Sequence, residues 1–330
     1  MDAVVTKKHY NYIDRLKGLA ITLVVMGHFI LVVYGDNDCG PFKFINTVHM
    51  PLFMFLSGLV ISKIPSAKRL IVMLFRFICP FLIVGGLLTL YRDEHISSLF
   101  TKSLKNGYWY LYILSLFYIF LFIKGLIRIK LGGRKMEMLI DILYFLLFYA
   151  AFWLCYMNFP SSTNDLIGAD LSRMYWPYFY LGYITNKYNL IRYVGNTGYT
   201  IGLITLLFSA NYFLNGIIHL ANILALSFIY VFLFLFYERE ECNTPIENFM
   251  QTVGKSSLDV YIYHYYFYGL ITFPAVGSYL IDSGNIIIYI LLILVISILV
   301  VVLSMIIGRI VRKSSILDNI VYGHMIKKWI

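Results

Sequence analysis

Long, nearly uncharged apolar stretches recur from one end of this 330-residue chain to the other. About 20 apolar residues make a helix that crosses a bilayer. Hydrophobic residues make up 60% of the chain and charged ones 13%, about half the charge of an ordinary soluble domain. Too little polar surface is left to cover one large water-soluble core. In hydrocarbon, backbone donors and acceptors must be met inside the protein, which favours helices. The predicted fold class is all-α: one polytopic transmembrane helical bundle over residues 1–330, embedded in a lipid bilayer.

Ten spans are predicted, at about 17–34, 44–62, 70–91, 107–127, 138–157, 174–186, 198–215, 217–237, 258–280 and 286–308. The sixth has only thirteen apolar residues, and Asp170 and Arg173 block its extension. It is expected to be short or tilted and buried in protein. A tight turn at Asn215-Gly216 joins the seventh and eighth. The first run lacks a small-residue cleavage site and should remain as a helix. No loop is long enough for a separate soluble domain, and no internal repeat is evident.

The net charge is 27 − 17 = +10. A nucleic-acid partner would need a compact basic domain or aromatic-interleaved basic strands, and neither occurs. With the N-terminus in the cytoplasm, 22 Lys and Arg fall at cytoplasmic span ends and 5 at outer ends, as the positive-inside rule requires. Both termini are therefore expected to be cytoplasmic. Tyr108-Trp109-Tyr110 is expected at a membrane interface. The four cysteines form no CxxC and no zinc spacing; Cys79 and Cys155 read as packing residues.

The chemistry concentrates in residues 11–62, where two adjacent spans carry one histidine each. Lys17 and His28 are eleven residues apart, three helical turns, so they share one face about 16 Å apart. His28 is expected near the middle of the membrane, where a polar group usually faces a cavity or a partner. It could simply bond a neighbouring helix. It could also take a proton from a hydroxyl at neutral pH, or carry an acyl group as a nucleophile. Lys17 and Arg15 would sit at the cytoplasmic mouth, as anchors or as ligands, and Asp14 is close enough in sequence to neutralise Lys17. His49, followed by Pro51, Ser57 and Gly58, reads as helix packing or as a residue that orients a substrate from outside. Ser57 and Gly58 permit close helix contact.

In the third span, Arg76 follows Arg69 by about two turns on nearly the same face. Arg76 is deeper than snorkelling easily explains, which favours a phosphate-binding role; Lys68 and Arg69 read as anchors. His264, five residues past Asp259 in a tyrosine-rich turn, is either interfacial or part of a pocket. No HxxxH or HxxE spacing supports a metal site from His28, His49 and His264, so no metal is expected.

These residues together resemble the acyltransferase 3 family of membrane-bound acyltransferases. Within it the chain is most similar to short members that resemble fucose 4-O-acetylases. The resemblance begins at YIDRLKGLAITLVVMGH, where Lys17 and His28 match a basic residue, a ten-residue gap and a histidine. It continues through HMPLFMFLSG at 49–58, the basic third helix ending in Pro80, YWPYFYLGYI at 175–184 and GKSSLDVYIYH at 254–264. It implies ten transmembrane helices in a bacterial inner (cytoplasmic) membrane. It also implies acyl transfer from cytoplasmic acyl-CoA, commonly acetyl-CoA, to a hydroxyl of a cell-surface carbohydrate or its lipid-linked glycan precursor. Acyl-CoA would be a donor substrate and not a resident cofactor, and polysaccharide-assembly proteins would be partners. His28 matches the catalytic histidine and Lys17 its basic partner. Arg76 matches the second of the family's paired arginines; Met73 stands at the first, and Arg69, one turn earlier, would substitute in holding the coenzyme phosphates. His49 and His264, from the reading of the residues above, are the candidate substrate-binding residues. The main rival is a polytopic transporter or flippase of a glycolipid or small solute, whose usual marks are internal repeats or paired broken helices. A non-catalytic scaffold of a polysaccharide-assembly complex is a third reading.

Overall fold

A computed structural model describes residues 10–35, 38–127, 134–193, 195–268, 279 and 285–324 of the chain. Among the described residues the secondary structure is helical, with no strand. In chain order the helices are α1 (Asn11–Val33), α2 (Gly40–Leu59), α3 (Ala67–Tyr91), α4 (Ser98–Thr101), α5 (Trp109–Leu126), α6 (Arg134–Asn158), α7 (Ser161–Ile167) and α8 (Ala169–Tyr188). They continue with α9 (Asn196–Leu214), α10 (Ala221–Glu238), α11 (Pro245–Lys255), α12 (Ser257–Tyr263), α13 (Tyr265–Tyr268), α14 (Ile286–Lys313) and α15 (Ser315–Tyr322). Among the described residues, seven helices are long and apolar enough to cross a membrane: α1, α3, α5, α6, α9, α10 and α14. The chain is a multi-pass membrane protein. Two more predicted spans appear as α2 and α8, each 20 residues long and packed against the other. The first part of the ninth appears as the broken pair α12 and α13, preceded by α11, and most of it from 269 on lies outside the described residues.

The first helix begins six residues before its predicted apolar start. Tyr10 gives it no side-chain cap. Instead the Glu240 carboxylate accepts from the backbone N–H of Asn11 (3.0 Å) and Tyr12 (2.7 Å). Two of the four orphan donors are met, and a negative charge faces the positive end of the helix dipole. Arg15 is fully buried and donates to the carbonyls of Arg239 (2.6 Å) and Cys242. It therefore ties α1 to the α10–α11 loop, which a lipid anchor would not do. That loop leads into a capping box, with Pro245 in the first turn and Thr244 and Glu247 bonded reciprocally. Arg239 Nε lies 2.7 Å from Glu247 Oε1, and its guanidinium holds that carboxyl down at about 2.

The α2–α8 contact rests on two glycines. A Cβ on Gly58 would meet the Phe179 carbonyl and come within 2.8 Å of Tyr183 N; one on Gly182 would meet the Phe55 carbonyl and come within 2.9 Å of Leu59 N. The close helix contact expected at Ser57-Gly58 is thus present, with Gly182 as its partner. Asp170 and Arg173 do not block α8, which runs through both. They pair at 2.6 Å one turn apart, and the Arg173 guanidinium lies 4.5 Å from the Trp153 ring and 4.1 Å from the Tyr156 ring. Neutralisation and ring stacking let the polar turn stay helical.

Three helices converge on one buried carboxylate. Asp141 on α6 bonds Lys124 of α5 through Oδ1, and Lys187 (2.7 Å) and Tyr188 (2.7 Å) through Oδ2. Lys124 also donates to the Tyr180 hydroxyl at 2.8 Å. Sequence reading treats Lys124 and Lys187 only as basic span ends; both are drawn inward by Asp141. The Tyr108-Trp109-Tyr110 run is also buried within the bundle, at 0%, 8% and 6% exposure, and does not line its surface. A second buried carboxylate, Asp259, is committed to Arg312 and, at 2.6 Å, to the Tyr322 hydroxyl. It locks α12 to α14 and α15.

Candidate active site

The face of α1 that carries Lys17 and His28 turns inward. His28 lies about 26 Å from Asn11 and about 8 Å from Val33 along the helix axis, so it belongs to the Val33 end of the bundle. The broken helix α12–α13 brings His264 and Tyr265 against it. The His28 and His264 ring centroids are 5.4 Å apart, and those of His28 and Tyr265 4.9 Å. Tyr265 Oη lies 2.8 Å from His28 Nε2. Tyr268 completes the wall, 6.3 Å from His28 between centroids, with its hydroxyl on the Val25 carbonyl at 2.9 Å.

The three histidines differ in how their rings are held. His49 Nδ1 donates to the Ile45 carbonyl at 2.6 Å, and His264 Nδ1 to the Val260 carbonyl at 2.9 Å. A carbonyl only accepts, so both rings carry the proton on Nδ1 and present Nε2 as an acceptor. His264 Nε2 is buried and has no hydrogen-bond partner among the described residues. His28 is half-buried, whereas His49 and His264 are fully buried. His49 and Arg92 also lie within electrostatic range of His28. The Arg92 guanidinium stands 6.0 Å from the Tyr265 ring.

A strained turn supports this cluster. Lys105, Asn106 and Gly107 all have positive φ, at 47°, 53° and 100°. Lys105 is fully buried and bonds the Phe100 carbonyl (2.5 Å) and the Asp165 carbonyl; burial pushes its ammonium down to about 8. Asn106 donates to Thr89 Oγ1 and Ser98 Oγ, both at 2.9 Å. The turn aims the Gly107 carbonyl at two tyrosines, Tyr261 (2.8 Å) and Tyr265 (3.2 Å). Backbone strain held by such contacts is a common feature of functional sites. A Cβ on Gly107 would lie 2.7 Å from both Cε2 and Oη of Tyr265. Gly107→Ala is therefore expected to lower the melting temperature in detergent and to reduce activity, by displacing Tyr265 from His28. Gly195, with φ −106° and no atom within 4 Å of a built Cβ, is the control site: Gly195→Ala should change neither.

Below the histidine cluster lies a cavity of about 270 Å³ lined by Lys17, Ser57, Met73, Arg76, Ser257 and Tyr261, among others. Lys17 and Arg76, predicted as partners from two separate helices, thus meet at one space. Arg76 Nε is buried with no hydrogen-bond partner among the described residues. Arg69 is exposed and does not line this cavity; its backbone N–H donates to the capping Ser66 Oγ at 3.4 Å. A larger cavity of about 700 Å³ shares Lys17 and Val60 with the first and adds Tyr10, Tyr12, Tyr237 and Glu241. Tyr261 links the cavity to the histidines, with its ring 6.1 Å from that of His264 and its hydroxyl on Gly107.

A basic cavity and a half-buried histidine thus lie on one helix face, joined by a tyrosine wall. The family model described as an acyltransferase domain matches residues 10–309, a stretch that contains every one of these residues. The chain belongs to the acyltransferase 3 family. No curated protein and no solved structure matches it. Membership makes the chain a membrane acyltransferase. The residues that sequence reading missed are Tyr265, Tyr261, Gly107 and Arg92. The tyrosine-rich GKSSLDVYIYHYYFY stretch carried a signal for the first two; the turn at 105–107 carried none beyond an Asn-Gly pair.

Proposed function

We propose that this protein moves an acyl group, most simply acetyl, from cytoplasmic acyl-CoA to a hydroxyl of a cell-surface carbohydrate or its lipid-linked glycan precursor. The observation that supports this reading is the shared cavity of Lys17 and Arg76 below His28. Acyl-CoA phosphates pair with Lys17 and Arg76, and Arg69, two turns toward the start of α3, meets the incoming coenzyme outside the cavity. The larger cavity, with its tyrosines and acidic rim, suits the base and ribose and repels phosphate. The pantetheine arm runs along the face of α1 past Tyr261, bringing the thioester to His28.

His28 removes the proton from the acceptor hydroxyl as its oxygen attacks the thioester carbonyl. The carbon–sulfur bond breaks, and the CoA thiolate takes the proton back from the His28 imidazolium. The unpaired His264 Nε2 accepts a hydrogen bond from the carbohydrate, and His49 flanks its approach from the outer side. The tyrosine wall stacks on the apolar face of a sugar ring.

Coenzyme A tests the donor half of this reading. At about 100 times its Kd a ligand stabilises its protein by about 2.7 kcal/mol. Coenzyme A is expected to raise the melting temperature of the detergent-solubilised protein, and dephospho-CoA to raise it much less. Arg76→Gln and Lys17→Gln should each abolish most of the shift. Identical melting curves with and without coenzyme A would refute the assignment.

A further inference from the structure

His28 differs from the other two histidines in the cluster. Nδ1 of His49 and of His264 is tied to the carbonyl four residues earlier. His28 Nδ1 carries no such bond among the described residues; its ring is held through Nε2, by Tyr265. The Tyr265 hydroxyl has one hydrogen and two contacts, His28 Nε2 at 2.8 Å and the Gly107 carbonyl at 3.2 Å. The carbonyl can only accept, so it can take that hydrogen and nothing else from Tyr265. Both contacts are satisfied in one arrangement alone: Tyr265 donates to Gly107 and accepts from an N–H on His28 Nε2.

We infer that Tyr265 is a positioning residue that fixes His28 as the Nε2–H tautomer, so that Nδ1 is the basic atom. The chain of bonds runs from His28 Nε2–H to Tyr265 Oη–H to the Gly107 carbonyl. It ends on a backbone group that the positive-φ turn at Lys105–Gly107 aims at the site. Tyr261, on the same carbonyl at 2.8 Å, helps to hold that oxygen in place. When Nδ1 takes a proton, the imidazolium keeps its Nε2–H bond, and no donor or acceptor has to reorient. This is the part that a carboxylate plays beside histidine in other proton-transfer sites, filled here by a neutral tyrosine and a carbonyl. A neutral partner adds no negative charge to a site that anionic acyl-CoA must approach.

The inference rests on His28 being the base, but its test does not. The full-length protein, labelled with ¹⁵N-histidine and reconstituted in liposomes without substrate, reports tautomers directly by solid-state NMR. His28 is assigned as the signal that a His28→Asn variant loses. The expected spectrum shows His28 as Nε2–H, and His49 and His264 as Nδ1–H. In Tyr265→Phe, which keeps the ring and removes the hydroxyl, His28 should become a mixture of tautomers. Its kcat should fall about 10- to 100-fold with KM for acyl-CoA unchanged. A His28 found as Nδ1–H in the unaltered protein, or a tautomer that ignores Tyr265→Phe, would overturn the inference whether or not His28 proves to be the base.

Discussion

Replacing His28 by alanine is expected to cut the acyl-transfer rate about a hundred- to ten-thousand-fold, the usual contribution of a positioned general base. The protein should still insert and keep its coenzyme affinity. Among the described residues the imidazole makes a single hydrogen bond, to Tyr265, and that hydroxyl retains the Gly107 carbonyl at 3.2 Å when the ring is gone. His28 is half-buried, so truncation costs less packing than it would at a fully buried core residue. Lys17 lies about three turns away on α1, so coenzyme A should stabilise the His28→Ala protein as much as the parent. The combination separates chemistry from folding: lost rate, retained melting temperature, retained shift with coenzyme A. A rate within a fewfold of the parent would remove His28 from the mechanism.

The largest effect on stability is expected at Asp141. Its carboxylate is buried, with the side chain 2% exposed, and is bonded by Lys124, Lys187 and Tyr188. Lys124 is itself 7% exposed. Breaking a buried pair by removing one partner costs about 3–5 kcal/mol, because the other charge stays buried and uncompensated. Asp141→Ala should therefore unfold at a markedly lower temperature in detergent. Replacing both partners with apolar residues removes the orphaned charge, so the double variant Lys124→Met/Asp141→Leu should be more stable than either single variant. An Asp141→Ala protein that melts with the parent would show that the network contributes nothing net.

Much of the architecture was legible because hydrophobic length is a one-dimensional property. The apolar runs located α1, α3, α5, α6, α9, α10 and α14, and helical geometry alone put Lys17 and His28 on one face. What was not legible arises from contacts between distant segments. Arg15 reads as a membrane anchor until the α10–α11 loop supplies two carbonyls for it. Asp170 and Arg173 read as a barrier until they pair and stack on Trp153 and Tyr156. Lys124 and Lys187 read as span ends until Asp141, on a third helix, draws them in. The candidate site divides in the same way. His28, Lys17 and Arg76 could be singled out as polar groups in apolar surroundings, and the structure brings Lys17 and Arg76 to one cavity. The tyrosine-rich stretch at 254–268 marks the neighbourhood of Tyr265 but does not single it out, since its role depends on a backbone carbonyl 158 residues away.

The most direct test is of the transfer itself. Surface glycans from cells that carry the unaltered protein, the His28→Ala protein at matched abundance, or neither can be compared by mass spectrometry. Glycans bearing the added mass of one acyl group should appear with the unaltered protein and be missing from the other two. The same acylated glycans at the same level in the His28→Ala cells would contradict the assignment of His28 as the base.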